Sequence, residues 1–167
     1  MKKILAALMI VFLAGGPALA LASTQQTIFT VTVASIFELT IDQGVIDFEK
    51  MKPGEVKENM PSSGITLTSR TNSGKPWFVK VSNISPFSSG SSVIPNSNFS
   101  WSGWSDGSGR WFGSGNNGMT MTPVLAYSSG GGEENNMPAG TNNHFRFRLV
   151  VPENQEPGKY MTTCFLR

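Results

Sequence analysis

The chain is poor in the residues that most site chemistry needs. It has one cysteine, Cys164, and one histidine, His144, in 167 positions. A single cysteine excludes an intramolecular disulfide. One Cys with one His also falls short of the ligand count of an ordinary zinc site. Charged residues make up only 14%, and no polybasic run occurs, which speaks against nucleic acid and anionic lipid as partners. The acidic residues do not follow the Asp-x-Asp/Asn-x-Asp/Asn-Gly spacing of a calcium loop. No Gly-x-Ser-x-Gly elbow lies between a strand and a helix, so His144 has no hydrolase frame around it. Glu133-Glu134 reads as solvated loop charge, and Gly130-Gly131-Gly132 precedes no helix that would make it a phosphate cradle. These absences point to a protein that is not an enzyme and carries no cofactor or metal.

The one long apolar run is at the start. Lys2 and Lys3 precede an apolar segment over residues 4–13, a Gly15-Gly16-Pro17 break and small-x-small patterns ending at Ala22. That layout is expected of a secretory signal peptide over residues 1–22, cut after Ala22. The run is too short to span a membrane, so no span is expected after cleavage. The remainder, residues 23–167, is expected to be one domain, long enough to bury a core without disulfides. Of the 13 Lys and Arg, two belong to the leader, which leaves 11 against 11 Asp and Glu. The mature chain is therefore formally neutral.

What is present is β-pattern. Residues 29–41 place Phe29, Val31, Val33, Phe37, Leu39 and Ile41 on odd positions with Ser35 between them. Side chains alternate faces along a strand, so this stretch has one apolar face in need of a partner. It reads as one long strand or two, broken at Ala34-Ser35. Further strands are expected at residues 45–48, 65–70, 77–81, 119–127, 144–151 and 160–166. Residues 65–70 and 77–81, joined through Asn72-Ser73-Gly74-Lys75, read as a hairpin. In the 144–151 strand, Phe145, Phe147, Leu149 and Val151 face in, with His144, Arg146 and Arg148 facing out. Residues 82–118 are rich in Ser, Gly and Asn, yet carry Trp101, Trp104, Trp111 and Phe112. No helix is expected after the leader. The total of about eight or nine short strands, uneven loops and no repeat favour an antiparallel Greek-key β-sandwich.

The order of these pieces carries a resemblance. Ile46-Asp47-Phe48 is followed by Lys52-Pro53-Gly54-Glu55, then by Ile65-Thr66-Leu67-Thr68 and Trp77-Phe78-Val79-Lys80-Val81. The chain closes with Phe145-x-Phe-x-Leu-x-Val151-Pro152 and Pro157-Gly158-x-Tyr160-x-Thr162-Thr163. This resembles the secreted immunoglobulin-like β-sandwich modules of bacterial surface proteins. That loose group includes spore-coat-U-like and fimbrial-subunit-like domains and families of unknown function. The resemblance implies an exported protein in a periplasm, at a cell surface or outside the cell. It supplies no catalytic residues. The chain departs from the chaperone–usher pilins, which usually carry a disulfide.

Two functional readings follow. In the first, the protein is a structural or adhesive surface protein that assembles through β-strand edges with copies of itself or other surface proteins. Phe29, Val31, Val33, Phe37 and Leu39 would form the assembly strand, which either completes its own sandwich or inserts into a neighbour's. In the second, Trp101, Trp104, Trp111 and Phe112 stack on a glycan in a carbohydrate-binding module. The alternative for these rings is core packing. For Cys164 the expectations are a small buried hydrophobe, a reactive thiol or pairing between chains.

Overall fold

A computed structural model of the chain describes residues 28–106, 109–112, 115–130 and 140–167. The expected leader and the Glu133-Glu134 pair lie outside the described residues. The chain divides into two units at Val33/Ala34. In the first, the described residues 28–33 form no strand. The second carries eleven described strands and one short 3₁₀ turn, Asn96–Asn98. The strands are β1 (Phe37–Ile41), β2 (Val56–Thr71), β3 (Phe78–Asn83), β4 (Phe87–Ser89), β5 (Ser92–Ile94) and β6 (Phe99–Ser105). They continue with β7 (Arg110–Trp111), β8 (Asn117–Gly118), β9 (Val124–Ser128), β10 (Thr141–Val150) and β11 (Cys164–Leu166).

The fold is all-β, and every pairing among the described residues is antiparallel. One sheet runs β1-β2-β10-β6-β8, a second runs β11-β3-β9-β7, and β4-β5 is a separate hairpin. Alternation builds the core between the two sheets. Ile65, Leu67, Phe99, Trp101, Phe145, Phe147 and Leu149 enter it from the first, and Val79, Val81, Ala126 and Tyr127 from the second. Rings from both sides meet there: Trp111 lies 6.1 Å from Trp101 and 5.2 Å from Phe145. Among the described residues no helix is long and apolar enough to cross a membrane.

Several expectations need correction. Residues 65–70 and 77–81 are not a hairpin: β2 and β3 stand in different sheets. The connection between them is an arch that crosses the core. Gly74 at φ 65° makes its bend, and the Thr71 and Ser73 hydroxyls bond each other at its start. Both strands still present their apolar parity to the core, so alternation alone cannot tell an arch from a hairpin. Residues 59–64, Asn-Met-Pro-Ser-Ser-Gly, run inside β2, a 16-residue strand. The irregularity is taken up there by Asn59 and Gly64 at positive φ and by register shifts against β10. Residues 45–48 form no strand, although Phe48 is buried. The opening strand begins at Phe37, not Phe29.

Candidate functional site: an apolar groove between two strand edges

The site begins with the parity of β1. Phe37, Leu39 and Ile41 pair with Thr71, Ser69 and Leu67 of β2. Directly paired residues share a face, and Leu67, Ser69 and Thr71 are buried. The apolar side chains of β1 therefore stand on the core side of the sheet. Glu38, on the other face, bonds Arg70 at 3.1 Å. Yet Phe37, Leu39 and Ile41 are 52, 37 and 47% exposed.

The second sheet has its own edge beside it, where the core-facing side chains are part-buried. Cys164 and Leu166 of β11 pair with Asn83 and Val81, both buried, and pack against the core. Between β1 and β11 lies an open groove of about 450 Å³. Leu39 and Ile41 form one wall, and Cys164, Phe165 and Leu166 the other. The floor is the core itself: Ile65, Leu67, Phe48, Phe87, Phe99 and Phe147 all reach it. The four phenylalanines interlock, with Phe87 edge-on to Phe99 at 4.9 Å and Phe99 stacked on Phe147 at 5.6 Å. Among the described residues no charged side chain lines the groove. Among the described residues β1 pairs only with β2 and β11 only with β3, so both walls are edges of the described sheets. An edge presents a row of backbone donors and acceptors to any strand that can reach it.

Asn72 fixes where the chain enters β1. Its Oδ1 accepts from the Ile36 amide at 2.8 Å, and its Nδ2 donates to the Ala34 carbonyl at 3.0 Å. The Thr71 hydroxyl donates to the Ile36 carbonyl at 2.9 Å. A side chain thus continues the β1–β2 ladder past its last backbone pair. Upstream, Phe29, Val31 and Val33 are 92, 88 and 76% exposed. Of the expected assembly strand, Phe37 and Leu39 are in β1, while Phe29, Val31 and Val33 lie outside any strand.

The four aromatic residues expected to share a binding surface are not brought together. Trp101 is buried at 2% exposure, because β6 turns its 99, 101 and 103 positions inward. Trp111 packs on Trp101, Phe145 and Tyr127. Trp104 has the opposite parity and lies on the outer face of the first sheet. There its ring stacks on His144 at 4.8 Å, with the Arg146 guanidinium 4.7 Å from its centroid. Phe112 is part-exposed beneath Arg110.

His144 Nε2 contacts both Asp106 carboxylate oxygens at 3.2 Å. Residues 103–107 spell Gly-Trp-Ser-Asp-Gly, but Ser105 pairs with Asn143 across the ladder and so takes the face opposite His144. Its hydroxyl donates to the Asn142 carbonyl. Among the described residues no group of three His, Cys, Asp or Glu could hold a metal ion. Burial pushes the Cys164 thiol from its ordinary 9.0 up to about 11, so the thiolate form is disfavoured where the groove meets β11.

Sequence reasoning found the strand but missed the groove. Its floor residues are spread from Phe48 to Phe147 and read only as core. The available signal was the parity of β1: an apolar face on an opening strand needs a partner surface. Compared with protein-family models, curated proteins and solved structures, the chain matches none of them.

Proposed function

We propose that this is a non-enzymatic, exported structural or adhesive surface protein that assembles through β-strand edges. The observation that carries this reading is the groove: the core-facing apolar side chains of β1 stand exposed, and those of β11 part-buried, between two edges that no described strand pairs. An uncovered apolar patch backed by free backbone donors and acceptors is the surface to which an added strand binds. The finer architecture is then an immunoglobulin-like Greek-key sandwich that leaves one strand position open. The chargeless segment before β1 and the neutral mature composition support the same reading.

The glycan alternative retains Trp104 and Phe112 as its part-exposed rings, and each already carries an arginine. A panel of polysaccharides that leaves tryptophan fluorescence unchanged would remove it. The assembly reading is tested by light scattering across a concentration series, with fractionation of the producing cells. Oligomers that grow with concentration, on protein recovered outside the cytoplasm, are expected. A species that stays monomeric at the highest concentration and never leaves the cytoplasm would sink the reading.

A further inference from the structure

The outer face of the first sheet carries a charge with no counter-ion of its own. Even-numbered residues of β10 point outward, so His144, Arg146 and Arg148 stand in a row there. Arg148 meets Glu58 at 2.7 Å, and His144 meets Asp106 at 3.2 Å. Among the described residues Arg146 meets no carboxylate. Its Nε is packed in without a hydrogen-bond partner, while the terminal Nη1 and Nη2 are not enclosed. A guanidinium keeps its charge at any ordinary pH, so this cation stays unmatched.

Resting on the glycan reading and not on edge assembly, we propose that Arg146 binds the carboxylate of an acidic saccharide, whose ring lies beside Trp104. The two terminal nitrogens present parallel N–H donors to the two oxygens of one carboxylate.

The surroundings fit that group. Trp104 reaches from β6 across β10: its ring stacks on His144, the Arg146 guanidinium lies 4.7 Å from its centroid, and its tip lies beside Gly64 of β2. The arginine is therefore held in place before any ligand arrives, on a strand laddered from both sides. The apolar backing of the indole strengthens a charged hydrogen bond made there. The part of Trp104 that stays exposed offers an apolar surface to the C–H groups of a sugar. Ser102 stands directly across the ladder from Arg146, and Thr66 across from His144, both half-buried hydroxyl residues. Asp106 and Glu58 are half-exposed on either side. One cation between two acids suits an isolated carboxylate among neutral hydroxyls and repels a densely charged polyanion.

The test measures binding to the purified chain by calorimetry and tryptophan fluorescence. The probes are an oligosaccharide of alternating glucuronic acid and N-acetylglucosamine, the same oligosaccharide with its carboxyls reduced to alcohols, dextran sulfate and polyglutamate. The acidic oligosaccharide should bind, and its reduced form should bind roughly tenfold or more weakly, as loss of a charge-assisted pair implies. Arg146→Gln should weaken binding to a similar extent with unchanged far-UV circular dichroism. Arg146→Lys should weaken it too, since it keeps the charge and loses the paired donors. Arg70→Gln, on the same face beyond β10, should bind as the native chain does.

The outcomes separate the claims. Equal affinity for the acidic and reduced oligosaccharides overturns this inference and leaves glycan binding standing. Binding of neither overturns the glycan reading and this inference together, with edge assembly untouched. Dextran sulfate or polyglutamate binding as tightly as the acidic oligosaccharide shows that charge alone is read, and overturns the saccharide assignment. Native affinity in a folded Arg146→Gln overturns the residue assignment. If both Arg146 variants unfold, the acidic and reduced probes on the native chain still decide.

Discussion

At the residue scale, two positions report on the groove and on the core behind it. The fold holds Cys164 as the neutral thiol. Its raised pKa means that the associated stability is fully present below about 9 and is lost as pH rises through about 11. Thiol-reagent kinetics on the native chain should therefore stay slow near pH 8 and climb toward an apparent pKa of about 11, whereas the urea-unfolded chain should titrate near 9. Equal profiles for the two states would place the sulfur in open solvent. Gly103 tests the packing. A Cβ built there would stand 1.9 Å from the His144 carbonyl oxygen and 2.9 Å from the Trp111 ring. Backbone cannot yield as a flexible side chain can, so Gly103→Ala should cost roughly 3 kcal/mol or more in urea melts. A loss under about 0.5 kcal/mol, the range of an indifferent surface change, would contradict the close approach of β6 to β10.

At the element scale, pairing decides mobility. β10 is laddered on both sides, by β2 and β6, while β1 and β11 each have one partner. Backbone amides of β1 and β11 should exchange with solvent well before those of residues 143–149, as read by hydrogen exchange with mass spectrometry. Assembly should slow exchange at β1 and β11 and leave β10 unchanged; uniform protection would point to a different interface. The same pairing explains what could be read from the sequence. Within β10, inward Phe145, Phe147 and Leu149 were legible because a strand buried on one face must alternate. Trp77, Val79 and Val81 were legible for the same reason. Whether two alternating segments pair with each other or face each other across a core was not, since both leave the same parity pattern. That is why the β2–β3 arch read as a hairpin. The start of β1 was equally hidden. Residues 29–33 have the pattern of a strand, but a strand also needs a ladder partner, and pattern says nothing about whether one is present. The Trp residues divided by parity once β6 was placed, which composition alone could not do.

At the scale of the whole molecule, the proposed edge contact is apolar: residues 23–36 hold no charged side chain, and neither does the described lining of the groove. With no charge in the segment or in the groove, assembly should change little between about 50 mM and about 0.5 M salt, a range over which exposed ion pairs are strongly screened. Sedimentation velocity at the two ends of that range checks this. A large loss of oligomer at high salt would shift attention to the charged outer face, where Arg148 meets Glu58 and Arg70 meets Glu38.

The fork of hydrogen bonds from Asn72 then has a mechanical consequence. The side chain holds Ala34 and Ile36, which flank Ser35 just before β1, against the end of β2. A strand with one ladder partner frays from its ends, and this clasp closes one of them. Replacing Asn72 with Ala should quicken hydrogen exchange at residues 36–38 and leave residues 143–149 unchanged; equal rates in the two proteins would show that the clasp carries no load.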